Sequence, residues 1–467
     1  MTSTHTGAGE PVAGVWRGGL GCHWIVATST RVCVLAEVPP DRRREAMAAF
    51  RMKRRDAMEV MFDRVAGLDV GKETVTVCLR TPGSKGRRHA ETRTFKTMSG
   101  SLRVMRDWLV GAGVSIAAME STSAYWKPAF YCLEEVMEVW LLNAAHMKAV
   151  PGRKSDVRDA EWIAQLLEHG LLAPSFVPPP EIRRLRMLTR YRVQLMGDRR
   201  RDIVRLELML EDASIKLSSV ASSLKTVSAR AMLTAMINGE TDPLRLADLA
   251  KGRMRRKIPD LAQALTGHFD ANHARLARSM LRRLDLVEQA MAELDQVIVE
   301  ACQPWARQIE LLQTIPGVGP KVAQVIIAET GGDMSRFPTA AHLAAWAGLA
   351  PAMNESAGRQ SPAGKRHGNK WLTAMLVEAA GSVGRMHGKN YLATQHARLM
   401  KRRGMGRAQV AVAHSMLVSA YWMLKRDEPY HDLGADWHRR RSEEAHTRRL
   451  VAQLERLGHT VIIDPAA

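Results

Sequence analysis

What the chain lacks narrows its class quickly. Only five of its 467 residues are cysteine: Cys22, Cys33, Cys78, Cys132 and Cys302. None forms a CxxC pair or sits in a Cys/His cluster, so neither a zinc site nor a disulfide framework is indicated, and a reducing cytosol fits. No apolar run reaches the roughly 18 residues that a membrane-spanning helix needs, so no membrane partner is expected. The N-terminus has no basic stretch leading into an apolar core, so a secretory signal is not expected either. Acid is in short supply. Against 68 Lys+Arg stand 48 Asp+Glu, a net charge of +20. An excess of that size points to a polyanionic partner, of which nucleic acid is the commonest.

What is present is enough for real cores, with 46% hydrophobic residues, and the length implies two to three domains. Residues 1–60 differ from the rest. They join a Gly-rich stretch without periodicity to the strongly basic "PPDRRREAMAAFRMKRRD", and are expected to be a disordered or mis-annotated extension with the true start near Met58 or Met61. Order begins at "RVAGLDVGKETVTVCLR", two β-rich runs joined at Gly71-Lys72. A third strand is expected over 88–97. Then come a helix, a strand over 114–122, a helix over 125–138, a strand over 139–146 and a helix in "KSDVRDAEWIAQLL". Three β-runs followed by alternating helix and strand predict an α/β domain with a mixed sheet over 61–180.

From Glu181 the texture turns helical. Apolar residues recur at three- and four-residue spacing beside a face rich in Arg183, Arg184, Arg186, Arg190, Arg192 and Arg199–Arg201. This predicts a coiled-coil-like helical linker over 181–305, suited to dimerisation and to contacts with a phosphate backbone. A mainly helical domain is expected over 306–430, and a basic tail over 431–467.

Four acids stand out. Asp69 interrupts the apolar "VAGLDVGK" and Glu120 the apolar "IAAMEST". A carboxylate in an apolar strand is costly unless it is paired or binds a metal. Asp156 and Asp159 lie three apart at a helix start, which puts them on one side of that helix. Capping of the helix N-terminus explains the last two taken alone. As a converging set, the four would repel one another unless cations neutralised them. Carboxylate oxygens suit Mg²⁺ or Mn²⁺, and two such ions about 4 Å apart serve phosphoryl transfer.

The order Asp–Glu–Asp–Asp, in "GLDVGK", "MESTSAYW" and "KSDVRDAEWIAQLL", resembles an RNase H-type, RuvC-like nuclease core. More specifically, it resembles the DEDD insertion-sequence transposases described as bridge-RNA-guided recombinases. The resemblance covers about 62–180 and 309–390. "IPGVGPKVAQVII" resembles a helix-hairpin-helix turn, in which Gly317 and Gly319 let backbone amides approach a phosphate and Lys321 opens the next helix. The stretch around "NESAGR" is similar to the family's C-terminal transposase domain, of the IS116/IS110/IS902 type. By that likeness Ser356 takes the place of the nucleophile, with Ser361 as a nearby competitor. Arg359, Lys365 and Arg366 are candidate phosphate contacts.

The resemblance implies a cytoplasmic, nucleoid-associated bacterial enzyme that cuts and rejoins double-stranded donor and target DNA through a phosphoserine intermediate. It also implies a divalent-metal site of Asp69, Glu120, Asp156 and Asp159, probable guidance by a bridge RNA, and a homodimer that assembles to a tetramer. Because the acids and Ser356 lie far apart in the chain, the implied site is composite between subunits. A RuvC-type endonuclease that hydrolyses with water is the alternative, and a non-catalytic nucleic-acid-binding protein is a third.

Overall fold

The near-continuous burial along "VAGLDV", broken only at the half-buried Asp69, marks a central strand rather than an edge one. In the computed structural model it is flanked on both sides. The structure describes residues 15–18, 22–27, 30–34, 60–84, 87–143, 156–351, 354–356, 359–361 and 368–462. The strands are β1 (Val15–Gly18), β2 (Cys22–Ala27), β3 (Thr30–Val34), β4 (Val65–Val70), β5 (Thr74–Pro82), β6 (Arg88–Lys96), β7 (Ile116–Glu120), β8 (Glu138–Leu142), β9 (Asn354–Ser356) and β10 (Arg359–Ser361). Of the N-terminal 60 residues the described part is β1, β2 and β3, which pair as an antiparallel meander. The rest of that segment lies outside the described residues.

The helices that matter to the first unit are α1 (Ser99–Gly111), α2 (Trp126–Leu133) and α3 (Asp156–Glu168). The sheet runs β6-β5-β4-β7-β8. β5 is antiparallel to both of its neighbours, β4 and β6, whereas β7 pairs parallel with β4 and β8 parallel with β7. An antiparallel β6-β5-β4 run continued by parallel strands gives the mixed sheet expected from the sequence. The helix expected over 125–138 stops at Leu133, because Glu138 already pairs with Ile116 as the first residue of β8.

The pleat sends alternate residues to opposite faces. One face, with Ala66, Leu68, Val70, Val75 and Val77, packs with α1 and α2 around Leu102, Met105 and Phe130. The other, with Val65, Cys78, Ile116 and Ala118, packs under Ala160, Ile163, Ala164 and Leu167 of α3.

The chain divides into two units at Val177 and Pro178, in the proline-rich "VPPPE". The second unit begins with α4 (Pro180–Asp212). It continues through α5 (Leu217–Val220), α6 (Val227–Ile237), α7 (Pro243–Asp248), α8 (Ile258–Ala264), α9 (Ala271–Ala301), α10 (Ala306–Gln313), α11 (Pro320–Thr330) and α12 (Ala340–Ala347). It ends in α13 (Lys370–Gly384), α14 (Tyr391–Arg403), α15 (Met405–Arg426) and α16 (Trp437–Arg456). α4 and α9 lie side by side along most of their length. Two cores result. The far halves of α4 and α9 enclose the short helices α6 to α8 around Leu206, Met232, Leu233 and Leu261. The near halves donate Ile182, Leu185 and Ile298 to the core of α10 to α15. The helical segment is therefore built into the C-terminal core at its base.

Candidate functional site

Three features fix how α3 lies on the sheet. A methyl group at Gly67 would come within 2.3 Å of both the Ala160 carbonyl oxygen and the Ala164 amide nitrogen, so helix and strand backbones touch there. The C-terminal residue Glu168 is buried and ion-paired to Arg80, the residue opposite Val65 at the start of β4, and to Arg88 at 3.0 Å. Met61 donates its amide to the Glu168 carbonyl at 2.9 Å. The end of α3 is thus pinned to the start of β4, and the helix runs back so that its first turn overhangs the end of β4.

That end carries the acids. Asp69 follows Gly67 by two residues and so shares the α3 face. The last parallel pair between β4 and β7 is Leu68 with Met119, which leaves Asp69 and Glu120 side by side one step beyond it. Glu120 follows Ala118 by two and shares the same face. On α3, Asp159 precedes Ile163 by four, and Asp156 precedes Ala160 by four, so both positions fall on the packed stripe one turn nearer the helix start. From Gly67 to Asp69 the strand advances about 6.6 Å, and from Ala164 back to Asp159 the helix covers about 7.5 Å. The two elements therefore bring their acids to one end of the sheet. Asp69 and Glu120 are half-buried and Asp159 is exposed. The side chain of Asp156 lies outside the described residues. Among the described residues, no three acids, histidines or cysteines make a ready-formed metal cluster.

Just past Glu120 the chain turns sharply. Ser123 adopts a left-handed conformation (φ 51°) between β7 and α2. A non-glycine residue held there costs about 1–3 kcal/mol, which is commonest where a fold must present a site. Beside Asp69, Thr76 stands directly opposite in the β5 register, is buried, and meets Thr94 Oγ1 at 3.2 Å. Sequence reasoning passed over Thr76, since a threonine in a strand carries no signal of its own.

In the second unit, the stretch around "NESAGR" contains a short hairpin. β9 and β10 pair with Ser356 opposite Arg359, Glu355 opposite Gln360 and Asn354 opposite Ser361. Ser356 and Arg359 are the pair at the turn end, and Ser361 is at the base. Arg359 is exposed. The side chains of Ser356 and Ser361, and all of Lys365 and Arg366, lie outside the described residues.

The helix-hairpin-helix-like turn joins α10 to α11. Gly317 has φ +85°, and a methyl group there would strike Val383 Cγ2 at 2.5 Å and the Ala379 carbonyl at 2.8 Å. Its glycine answers to the packing of α13. Gly319 is the residue before α11 and faces open space. Lys321 is bound to Asp295 of α9 at 2.8 Å. Asp295 also holds Arg192, which is buried. Along α4, the exposed arginines are Arg184, Arg200, Arg201 and Arg205. Arg186, Arg190 and Arg192 instead make ion pairs with Glu329 and Asp295. The basic face read from the sequence is therefore split between solvent and interior.

Comparison with known proteins gives two family matches. A transposase model of the IS110 DEDD type matches residues 66–215, and the model of the transposase IS116/IS110/IS902 family matches 309–397. The transposase for insertion sequence element IS1111A of Coxiella burnetii is 24% identical over 400 residues, covering 83% of this chain and 96% of that one. The 44.8 kDa protein of insertion element IS116 of Streptomyces clavuligerus is 26% identical over 256 residues, and the match spans 49% of this chain and 61% of that protein. Among solved structures, RuvC of Thermus thermophilus matches 24% of this chain and 99% of its own, with 16% identity and a TM-score of 0.20.

Proposed function

The chain belongs to the IS116/IS110/IS902 transposase family, and from that premise we propose that it cuts and rejoins DNA strands through Ser356, served by a metal site of Asp69, Glu120, Asp156 and Asp159. The observation that carries the reading is the overhang of α3, whose first turn stands above the adjacent ends of β4 and β7 where Asp69 and Glu120 share a face.

The donor set fits the metal. Three described carboxylates and one further aspartate position supply hard oxygens and no sulfur or nitrogen, the preference of Mg²⁺ or Mn²⁺. Bound there as a pair of ions, the metal would polarise the scissile phosphate and lower the pKa of the attacking hydroxyl. The protein's own part is placement. The Ser356 hydroxyl loses its proton and bonds to phosphorus, and one DNA oxygen leaves with a proton. The reverse attack by a DNA hydroxyl frees the serine and rejoins a strand. Arg359, opposite Ser356 in the hairpin, is placed to hold a phosphate oxygen, and Lys365 and Arg366 extend that role. In the hairpin register Ser356 stands at the turn end and Ser361 at the base, which favours Ser356 for the role.

The reading extends to partners. Donor and target double-stranded DNA are the substrates, a bridge RNA chooses them, and a homodimer assembles to a tetramer so that acids of one subunit serve the serine of another. The net charge of +20 supports polyanion binding without distinguishing RNA from DNA.

The test uses wild type, Ser356→Ala and Asp69→Ala with element DNA, Mg²⁺ and the RNA from the element's non-coding end. A protein–DNA adduct from wild type alone is the expected result. An adduct from Ser356→Ala would exclude that nucleophile. Nicks without any adduct would establish hydrolysis by water, and equal behaviour of wild type and Asp69→Ala would leave a binding protein.

A further inference from the structure

The C-terminal unit buries a carboxylate for which the chemistry above has no use. Glu329 of α11 is 0% exposed. Arg190 grips it with both prongs, Nε to Oε1 at 2.7 Å and Nη2 to Oε2 at 2.8 Å. Arg186 Nε lies 3.3 Å from Oε2, and Asn369 Nδ2 donates to the same oxygen at 2.6 Å. Arg186 also donates to the backbone carbonyls of Ala328 and Glu329, at 3.1 and 2.7 Å. These belong to the last turn of α11, where carbonyls lack helical partners. Burying the Glu329 carboxylate against two partly exposed arginines is expensive, and apolar side chains would fill the space without that cost. A network of this kind does favour one geometry, because both carboxylate oxygens of Glu329 are held from fixed directions.

Asn369 is the link outward. Its Oδ1 accepts the amides of Trp371 and Leu372, both at 3.1 Å, and so caps α13, while its Nδ2 serves Glu329. The residue before it, Gly368, lies so close to the end of α12 that a methyl group would fall 2.3 Å from the Gly348 amide nitrogen. Thr373 adds a hydrogen bond to the Ala347 carbonyl at 2.7 Å. In the chain, β9 and β10 fall between α12 and α13, whose facing ends are held together as a neck at Gly348, Gly368 and Asn369.

We propose that Glu329 is a positioning residue for the serine-bearing hairpin. Through Asn369 it sets the neck from which Ser356 and Arg359 project. Through Arg186 and Arg190 it ties that neck to α4, the first helix of the helical arm. The proposal rests on the reading of Ser356 as nucleophile.

Full-length Asn369→Ser isolates the link, since serine still caps α13 but has no amide to give Glu329. At saturating DNA, adduct formation is expected to slow on the order of tenfold to a hundredfold, the scale of a small misplacement of reacting groups. DNA affinity and Tm stay at wild-type values. Amide exchange quickens in 354–361 but not in α13. Glu329→Gln slows the adduct in the same way, with a lower Tm because the two arginines lose their counter-charge. Wild-type adduct rate and wild-type hairpin exchange in Asn369→Ser would overturn the proposal. So would a slowing that tracks loss of Tm or of α13 protection. If wild type forms no adduct at all, the serine reading fails, and hairpin exchange alone decides: quicker exchange supports the positioning role, and unchanged exchange refutes it.

Discussion

Gly67 of β4 and Ala160 of α3 meet backbone to backbone, with room for no more than a hydrogen between them. That contact sets the height of α3 above the sheet. It also sets the distance between the acid two residues after Gly67 and the acid one residue before Ala160.

Gly67→Ala is accordingly expected to hurt twice. The added methyl group must push α3 away, costing about 1–3 kcal/mol as overpacking. The displaced helix start should also lower Mg²⁺-dependent DNA cleavage by more than the loss of folded protein accounts for. Urea denaturation and nicking of supercoiled DNA, measured on one preparation, check both halves.

The acids themselves should be separable from stability. Asp69 and Glu120 are half-buried and Asp159 is exposed. Asp69→Asn, Glu120→Gln and Asp159→Asn should each fold normally. Each should lose on the order of a hundredfold or more in strand cleavage, since the metal stabilisation at stake is several kcal/mol. EDTA should abolish cleavage by wild type, and Mg²⁺ or Mn²⁺ should restore it. Thermal melts beside cleavage rates would show the split, and activity retained in all three variants would remove the metal site.

Glu168 is a structural counterpart to those acids. It is buried under the end of α3 with Arg80 and Arg88 as partners. Glu168→Ala leaves two arginines facing an apolar pocket and should destabilise the first unit by about 3 kcal/mol, at the lower end for a broken buried pair because the arginines are partly exposed. Chemical denaturation measures it directly.

The split arginine face of α4 makes a contrast. Arg184 and Arg200 are exposed. Replacing both with alanine should leave stability unchanged and reduce the slope of log affinity against log salt by about two, one per lost phosphate contact. Arg192 is buried against Asp295, and Arg192→Ala should destabilise the fold instead.

Asp295 carries a pH signature. Burial pushes its carboxyl up, but hydrogen bonds from Lys321 and Arg192 outweigh that and hold it below the usual carboxylate value. A depressed folded value means the group adds stability above its unfolded value of about 3.9 and loses it as pH falls through the lower folded value. The gap in stability between wild type and Asp295→Asn should therefore be full at pH 6 and shrink below pH 4. A gap independent of pH would show that the ion pair is not its source.

Much of the site was legible without coordinates. Asp69 and Glu120 announce themselves because an acid in an apolar strand breaks the local pattern, and the period-2 alternation around them places each on a definite face. The mixed sheet follows from three β-runs ahead of alternating helix and strand. Less was legible where a residue's meaning depends on a distant partner. Lys321 reads as a free helix-start cation, yet Asp295 of α9 holds it. Gly317 reads as a phosphate-binding glycine, yet α13 occupies the space its side chain would need. Glu329 in "VAQVIIAET" shows the same broken apolar pattern as Asp69 and went unread, because its partners come from α4 and α13.

The sequence by itself determined which side chains are on offer: acids set into apolar strands, a large excess of cations, and a small-residue stretch bearing Ser356. Periodicity also determined which face of each strand or helix a residue occupies, since those repeats are properties of the local backbone. Only the tertiary structure decided direction and partnership. It laid α3 antiparallel on β4 so that the positions of Asp69, Glu120, Asp156 and Asp159 fall toward one end of the sheet, it paired three of the nine arginines of α4 inward, and it bound Asn369 to a buried Glu329. Backbone contact and buried charge pairing join residues far apart in the chain, and no local pattern encodes them.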